Sequence, residues 1–230
     1  MRNLTKATAA LATAGLFSIA AMSQASAAIT LIDNSTAGYY NDGIGGSLNG
    51  TSALFPDAGT SDDPNIDPAP EPDLSAAAAA LGAWLSTPSS PGGTWGAAPE
   101  AIPSTWAVET ETAIIYEIDA GATGLSNVVA NFGVDNGIFV WLDGVYLGGE
   151  LHPGGASLGE LILNIGNLTA GSHFLQVLRE DHGGATGYAV QVTGDEGVSE
   201  VPLPAALPIF LSGLAGVGFF GRKKRKSARA

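Results

Sequence analysis

The sequence contains no cysteine and very few basic residues. Its 230 residues therefore cannot form disulfides, use thiol catalysis or hold a metal through cysteine. Nine Lys and Arg stand against 22 Asp and Glu, and eight of the nine lie at the two chain ends. Between residues 28 and 200, Arg179 is the one basic residue among all 22 acids, which gives this body a formal charge of −21. We therefore expect no nucleic-acid partner, because nothing in the body would neutralise phosphates.

The first 27 residues have the three parts of a secretory signal peptide. Arg2 and Lys6 form a basic region, and small and apolar residues follow from position 7 to 22. Ala25 and Ala27 then supply the small residues that signal peptidase requires. We predict cleavage before Ala28 and export of the remaining chain, and we prefer this to the alternative of an N-terminal core helix.

The C-terminal residues also fall into three parts. A short proline motif precedes an apolar span that ends at Gly221, and a basic tail follows. The motif is Val201, Pro202, Leu203, Pro204 and Ala205, and the tail contains Arg222, Lys223, Lys224, Arg225 and Lys226. A helix over the apolar span would be about 26 Å long, just enough to cross a thin bilayer. The basic tail would stay in the cytoplasm, so we predict a transient membrane span.

These C-terminal residues resemble the sorting signals of the PEP-CTERM class, in the variant headed by Val-Pro-Leu-Pro-Ala. The commonest head of that class has Glu between the two prolines, where Leu203 stands here. The resemblance implies that an exosortase-type membrane transpeptidase handles the protein. It also implies delivery to the surface or matrix of a Gram-negative bacterium that makes extracellular polysaccharide. A plain tail anchor is the alternative.

The body between these signals divides by composition at about residue 103. Residues 28–103 are rich in Gly, Pro, Ser, Ala and Asp, and within them Asp73 could cap a short helix over residues 74–86 that packs by its apolar face. From residue 104 to 200, β-branched and aromatic runs predict strands over 113–118, 128–132, 138–142, 145–147, 161–165, 173–178 and 188–192. Asp143-Gly144 predicts a hairpin turn. The expected fold is all-β, a jelly-roll-like antiparallel sandwich with one short packed helix.

Two stretches of the second part resemble framework segments of the lectin-like jelly rolls that many polysaccharide-acting proteins carry. Residues 135–144 run from a strand into an Asp-Gly turn, and residues 168–177 run from a Gly turn into a strand. The resemblance implies that sugars or Ca²⁺ would bind in loops at one end of the sandwich. It assigns no particular binding residue.

Arg179, Asp181 and His182 form a candidate ligand loop after a predicted strand. A guanidinium can bind a carboxylate or sugar hydroxyls, and we favour a structural ion pair over a ligand contact. His173 alternates with core residues and is expected to be packed or at an edge. His152 and His182 could meet at one end of the sandwich, but their spacing does not match a metal site. No catalytic motif is present, so no catalytic residue is assigned.

The acidic stretch around Asp62, Asp63 and Asp67 is a candidate calcium loop, and Ca²⁺ is the one cofactor that the sequence suggests. Pro68 and Leu74 stand where an EF-hand needs its Gly and its closing Glu, which excludes that motif. We favour a solvated acidic loop over a calcium loop of another kind.

Two functional hypotheses follow from the sequence. The first is an exported, non-enzymatic protein that binds or scaffolds extracellular polysaccharide at the cell surface or in the matrix. The alternative is a secreted polysaccharide-modifying enzyme with carboxylate chemistry, because carboxylates are abundant. However, that chemistry needs two of them held across a cleft, and no such pair is marked in the sequence.

Overall fold

The computed structural model describes residues 28–59 and 64–197. The signal-peptide residues Ala25 and Ala27, the pair Asp62 and Asp63, and everything from residue 198 onward lie outside this range. Within it, no helix is long and apolar enough to cross a membrane. The described chain forms a curled antiparallel sheet of β1 (Ala28–Asp33), β2 (Ala37–Gly45), β3 (Glu100–Ala101), β4 (Glu111–Asp119), β5 (Leu125–Leu142), β6 (Val145–His152), β7 (Leu161–Leu168), β8 (Ser172–Glu180) and β9 (Gly187–Glu196). The expectation of an all-β antiparallel fold is confirmed.

Strand β5 joins two limbs of the sheet. Its first half pairs with β9 and β7, and β1 adds to β9; these strands are the first limb. Its second half pairs with β8 and β6, while β4, β2 and β3 follow on the far side of β8; these strands are the second limb. Because β5 belongs to both limbs, the sheet is continuous from one limb to the other and curls between them.

The length of β5 differs from the prediction of two separate strands over residues 128–132 and 138–142. Asp135 pairs with Gly187 of β9, and Gly137 pairs with Glu180 of β8. The Asp-Asn-Gly sequence at 135–137 is typical of a turn, yet the chain stays in strand pairing through it. Different partners on the two sides of this point keep the chain extended, so one strand replaces the predicted two.

Strands β1, β2 and β3 were not predicted. β1 pairs with β9 from the other end of the body, and β2 pairs with both β4 and β3. The sequence of β2, with Asp42 and three glycines, has little strand propensity of its own. Its pairing with β4 overrides that composition, and the segment before residue 103 therefore belongs to the same sheet as the rest.

The inner faces of the two limbs share one apolar core. Both limbs contribute to it, with Phe132, Val190 and Val192 from the first and Ile114, Val140 and Val177 from the second. Side chains alternate between the two faces of a strand, so the intervening residues of the second limb point away from this core. They meet a second apolar cluster on the outer face.

The outer face of the second limb is covered by the segment between β2 and β3. This segment contains a 3₁₀ turn (Ser75–Ala77) that leads into the helix α1 (Ala78–Leu81). Leu81 and Trp84 are buried against the sheet, as predicted for a packed helix. The helix is shorter than the predicted 74–86, because Gly82 has a left-handed φ of 59° that ends it. The residues after Gly82 continue as turns.

The predicted hairpin at Asp143-Gly144 is confirmed. Both residues have positive φ, 49° and 78°, as a two-residue turn of this kind requires. The Asp143 carboxylate accepts the Phe174 backbone N–H at 2.8 Å and lies 2.7 Å from Nδ1 of the half-buried His173. These contacts tie the hairpin to β8, and the hydrogen bond that His173 donates to the Asp143 carboxylate raises the pKa of His173.

Candidate functional site

Two polar regions lie on the outer face of the second limb. Gln176, Leu178 and Glu180 alternate along β8 and share this face, with the apolar Leu178 between the two polar side chains. Gln176 lies beneath an open groove. Glu180 lies in a closed region at the end of the strand.

The open region, which we call the outer groove, has a volume of about 400 Å³. Buried tryptophan rings and half-buried leucines line it, and two exposed carboxylates stand beside them; these residues include Glu71, Asp73, Leu74, Trp84, Leu85 and Trp141. The volume lies within the range typical of small-ligand sites, and the lining combines apolar area with a few polar groups. A second hollow of about 320 Å³, beside Asp119 and Glu196, lies at the end of the first limb.

Asn41 of β2 fixes the helix that borders the outer groove. Its Nδ2 donates to the carbonyl of Ala80 at 2.9 Å. Its Oδ1 accepts the Gly43 backbone N–H at 2.9 Å and the Thr94 hydroxyl at 2.8 Å. The side chain is fully buried, and both of its polar atoms have partners. It therefore joins α1 to the sheet at little desolvation cost.

Gln176 of β8 fixes the other side of the groove in the same way. Its Nε2 donates to the carbonyl of Trp84 at 3.1 Å, and its Oε1 accepts the Gly144 N–H at 3.0 Å. The Trp95 indole N–H adds a bond to the carbonyl of Leu81 at 2.9 Å. These bonds hold the turn after α1 against the sheet, so the groove is largely formed before any ligand arrives.

The tryptophan rings pack against one another beneath the groove and expose little surface to it. Trp84 packs edge-on against Trp141 with ring centroids 5.3 Å apart, and it stacks on Trp95 at 5.8 Å. Trp84 is 3% exposed and Trp141 is not exposed. Neither ring offers an open face for stacking, so a ligand would meet the leucine side chains and the carboxylates.

The two groove carboxylates are held in place. Trp141 donates its indole N–H to Oε1 of Glu71 at 2.9 Å. Asp73 accepts the Ser75 backbone N–H at 2.9 Å, and its hydrogen bonds with Ser75 lower the pKa of Asp73 from its ordinary value. Asp73 is therefore ionised at neutral pH.

The closed region, which we call the buried polar end, consists of Glu111 and Glu180 on the outer face, Arg179 on the inner face, and Asp181 and His182 directly after the strand. Thr112 pairs with Arg179, so one step further along the two antiparallel strands Glu111 lies opposite Glu180. Side chains directly opposite each other share one face and have Cβ atoms about 4.5–5.5 Å apart. Both glutamates are fully buried, and they therefore form a cross-strand pair of like charge.

This pair has too few hydrogen-bond donors. Among the described residues, neither carboxylate oxygen of Glu111 nor Oε2 of Glu180 accepts a hydrogen bond of good geometry. Burial and the charge of Glu180 raise the pKa of Glu111 to about 8, against the opposing effect of the nearby backbone N–H groups of Leu48 and of Glu111 itself. Burial also raises the pKa of Glu180, against the effect of His182, whose Nδ1 lies 2.9 Å from Oε1. At least one proton is therefore bound by the pair at neutral pH.

Close packing adds to the confinement of Glu180. A Cβ placed on Gly137 would lie 2.7 Å from its Oε2, so any other residue at this position of β5 would displace the Glu180 carboxylate. Asp181 accepts the backbone N–H of Glu109, and burial raises the pKa of Asp181 to about 6. The carboxylates of this region are therefore enclosed by the protein itself.

Arg179 faces the inner core instead of the outer face. Its Nε donates to the Thr112 hydroxyl at 2.9 Å, and its Nη1 donates to the carbonyl of Pro103 at 2.8 Å. Its guanidinium carbon lies 4.3, 4.8 and 5.5 Å from the ring centroids of three aromatic residues, which are Trp106, Tyr188 and Tyr40 in that order. Within the described part of the chain, no carboxylate pairs with it. Aromatic faces and neutral acceptors thus replace the expected ion pair.

The structure therefore brings Arg179, Asp181 and His182 together, but in a different setting from the predicted ligand loop. All three are buried, the first with no exposed surface and the last with 1%. They hold the end of β8 in the fold and present no surface to a polysaccharide. His152, at the end of β6, has its Nδ1 2.8 Å from the carbonyl of Gly154.

Most of the calcium and sorting residues lie beyond what the structure describes. Asp67 is exposed, while Asp62 and Asp63 are outside the described residues, so the calcium loop stays a prediction. In residues 28–59 and 64–197, no three histidine, aspartate or glutamate side chains are grouped so that they could hold a metal ion. The motif Val201–Ala205 and the tail Arg222–Lys226 likewise remain predictions.

Sequence reasoning missed the outer groove. Five of its six named residues fall within positions 71–86, where acids precede a short apolar helix, and this was the available signal. Trp141 comes from a distant strand, and only the fold places it beside Glu71. No protein-family model matches the chain, and no curated protein matches it. The groove has to be interpreted from its own chemistry.

Proposed function

We propose that the protein is an exported, non-enzymatic protein that binds extracellular polysaccharide in the outer groove. The groove itself carries this proposal. It combines leucine walls, which suit the C–H faces of sugar rings, with two fixed carboxylates, which accept hydrogen bonds from sugar hydroxyls or amines. Asn41 and Gln176 hold this arrangement rigid, which lowers the ordering cost of binding.

The chain ends support a location where such a ligand occurs. Residues 1–27 have the pattern of a signal peptide, and residues 201–226 resemble a PEP-CTERM sorting signal. We propose that signal peptidase and an exosortase-type transpeptidase process the protein in turn. The protein would be held briefly in the inner membrane of a Gram-negative bacterium before it reaches the cell surface or matrix.

The distribution of carboxylates favours binding over catalysis. A glycosidase needs a general acid with a raised pKa beside the scissile bond. In this chain the pKa of Asp73, in the groove, is lowered, whereas the pKa is raised for four buried carboxyl groups, those of Glu111, Glu150, Glu180 and Asp181. Glu150 is 4% exposed and the other three have no exposed surface, so none of them is placed to protonate a bound polymer.

We also propose that the curled sheet is a jelly-roll-like sandwich of the lectin type. The shared strand β5 and the single apolar core between the limbs support this interpretation. The groove differs from the arrangement implied by the lectin-like resemblance, because it lies on the outer face of one limb and not in the end loops.

The test uses two neighbouring alanines of α1. Ala78 lines the groove, Ala79 does not, and both are exposed. Retention of the purified protein on matrix polysaccharide should be lost in Ala78→Trp, which fills the groove, and kept in Ala79→Trp. Equal retention by the two variants would show that the groove is not the site. Release of reducing sugar by the unaltered protein would instead favour the enzyme hypothesis.

A further inference from the structure

We propose that the ligand of the outer groove is an amine-bearing polysaccharide, one in which some amino sugars lack their acetyl group and carry a positive charge. Glu71 and Asp73 would bind the sugar ammonium groups. This inference rests on the proposed function and specifies the chemistry of its ligand.

The charge of the body disfavours an anionic polymer as the partner. Residues 28–200 contain 22 acids and one Lys or Arg, and that one, Arg179, has no exposed surface. A polymer of uronic acids, sulfates or phosphates would meet a field of its own sign and no exposed Lys or Arg on the described surface. Like-charge contacts of this kind suppress association, whereas a cationic chain would be attracted from a distance.

The two groove carboxylates give a second reason, besides the net charge of the body, to expect a cationic ligand. Carboxylates only accept hydrogen bonds, and an ammonium group supplies three donors together with the opposite charge. Trp141 occupies Oε1 of Glu71 and so fixes the group, which leaves its other lone pairs for a ligand. Ser75 fixes Asp73 in its ionised form. Bonds between two charged groups are roughly twice as strong as neutral ones, so these acids should discriminate amine from acetamide.

The shape of the groove favours a sugar chain over a basic peptide. Peptides commonly bind by pairing with a free strand edge or by laying a helix along a hydrophobic groove. Here the border is a helix of four residues, Ala78–Leu81, and the turns after it, so no strand edge is offered. A volume of about 400 Å³ takes a few sugar rings but is short for a docked helix.

The experiment compares two polymers of one length that differ only in acetylation: partially deacetylated and fully acetylated poly-N-acetylglucosamine. Binding to the full-length protein is measured by calorimetry at moderate salt. The deacetylated polymer should bind at least tenfold more tightly. Its affinity should fall as the pH is raised through the pKa of the sugar amine, because the charge that the carboxylates bind is then lost.

Two double variants that remove the same number of charges distinguish binding in the groove from attraction by the overall negative charge. The double variant Glu71→Gln with Asp73→Asn keeps the acceptor for Trp141 and the cap for Ser75, so folding should be preserved. It should lose about tenfold in affinity. The control, Glu100→Gln with Glu117→Gln, removes the same charge from exposed positions outside both hollows and should lose less than twofold.

Several outcomes would overturn the inference. Equal losses in the two double variants would mean diffuse electrostatic binding with no site. Equal affinity for both polymers would establish a neutral-glycan groove, which contradicts the inference but leaves the proposed function standing. Equal or tighter binding of an oligolysine peptide would identify a peptide site. Binding to neither polymer, together with no retention on matrix polysaccharide, would refute the proposed function as well.

Discussion

Beneath the outer groove, Asn41 and Gln176 have hydrogen-bond partners for both polar atoms of their side chains, whereas neither oxygen of Glu111 at the buried polar end accepts a hydrogen bond of good geometry from the described part of the chain. These three side chains are on the outer face of one limb, and none of them has exposed surface. A fully partnered amide fixes its surroundings at any pH, while an unpartnered carboxyl pair must bind protons to stay buried. The comparison therefore separates a rigid, exposed groove from an enclosed region whose stability depends on pH.

The largest effect is expected where a partnered amide is turned into an acid. Gln176→Glu removes the donor to Trp84 and places a carboxyl group against carbonyl oxygens. We expect a loss of about 2–4 kcal/mol in the free energy of unfolding at pH 7, measured by urea denaturation. The same change at the exposed Gln191 should stay within about 0.5 kcal/mol. A small loss for both would mean that Gln176 does not hold the groove.

Arg179→Lys tests how the cation of the buried polar end is stabilised. The substitution keeps the charge but loses the bonds to Thr112 and Pro103 and the flat contact with the aromatic rings. We expect a loss of about 2 kcal/mol in stability by the same measurement. Polysaccharide binding should be unchanged in the folded variant. A binding defect without a stability change would restore Arg179 as a ligand residue.

Glu111→Gln replaces a buried acid by an amide, the reverse of the change in Gln176→Glu. The variant should become more stable than the unaltered protein as the pH rises. The pKa of Glu111 is about 8 in the fold, against 4.5 for the ordinary group. Between these values the unfolded chain releases the proton that the folded chain keeps, so stability falls with increasing pH by at most about 1.4 kcal/mol per pH unit. This contribution is fully present below 4.5 and lost by about pH 8.

The variant has no such proton to lose. Its advantage over the unaltered protein should be near zero at pH 4.5, grow to roughly 1–3 kcal/mol by pH 8 and then stay constant. Glu117→Gln, at an exposed position of the same strand, provides the control and should give no such trend. A pH-independent difference for Glu111→Gln would contradict the buried, protonated pair.

The smallest effect is expected at the hairpin. Asp143→Asn keeps the positive φ, which Asn tolerates, but removes the charge beside His173. The raised pKa of His173 means that the contact stabilises the fold below the ordinary value of 6.5 and loses this effect as the pH rises through the folded value. We expect about 0.5 kcal/mol at pH 5 and less at pH 8. Thermal melts at the two pH values measure it.

Features that depend on residues close together in the chain could be predicted from the sequence, whereas features that depend on distant strands could not. The Asp143-Gly144 hairpin, the strands of the second half and the packing of Leu81 and Trp84 depend on local patterns, and they are present. The continuity of β5 depends on which strands flank each half, which local composition at 135–137 does not specify. The pairing of β1 with β9 is invisible to local propensity for the same reason.

The two regions on the outer face were hidden from the sequence because their residues come from distant strands. The contact between Glu71 and Trp141 spans 70 residues. Around Arg179, Tyr40, Trp106 and Tyr188 come from three separate parts of the chain, so no spacing rule could identify them. The sequence did indicate that Arg179 was the singular cation of the body. Only the structure shows that its guanidinium is buried among aromatic rings and not beside a carboxylate.

The most direct test of the contrast between the two regions is a carboxyl-carbon NMR titration that follows Asp73 and Glu111 in the same sample. Both are acids on the same side of the second limb, but Asp73 is exposed and ionised, whereas Glu111 is enclosed and accepts no hydrogen bond of good geometry from the residues that the structure describes. The account predicts that Asp73 titrates below its ordinary pKa of 3.8 and Glu111 near 8. Titration of both groups between pH 3.5 and 5 would contradict it.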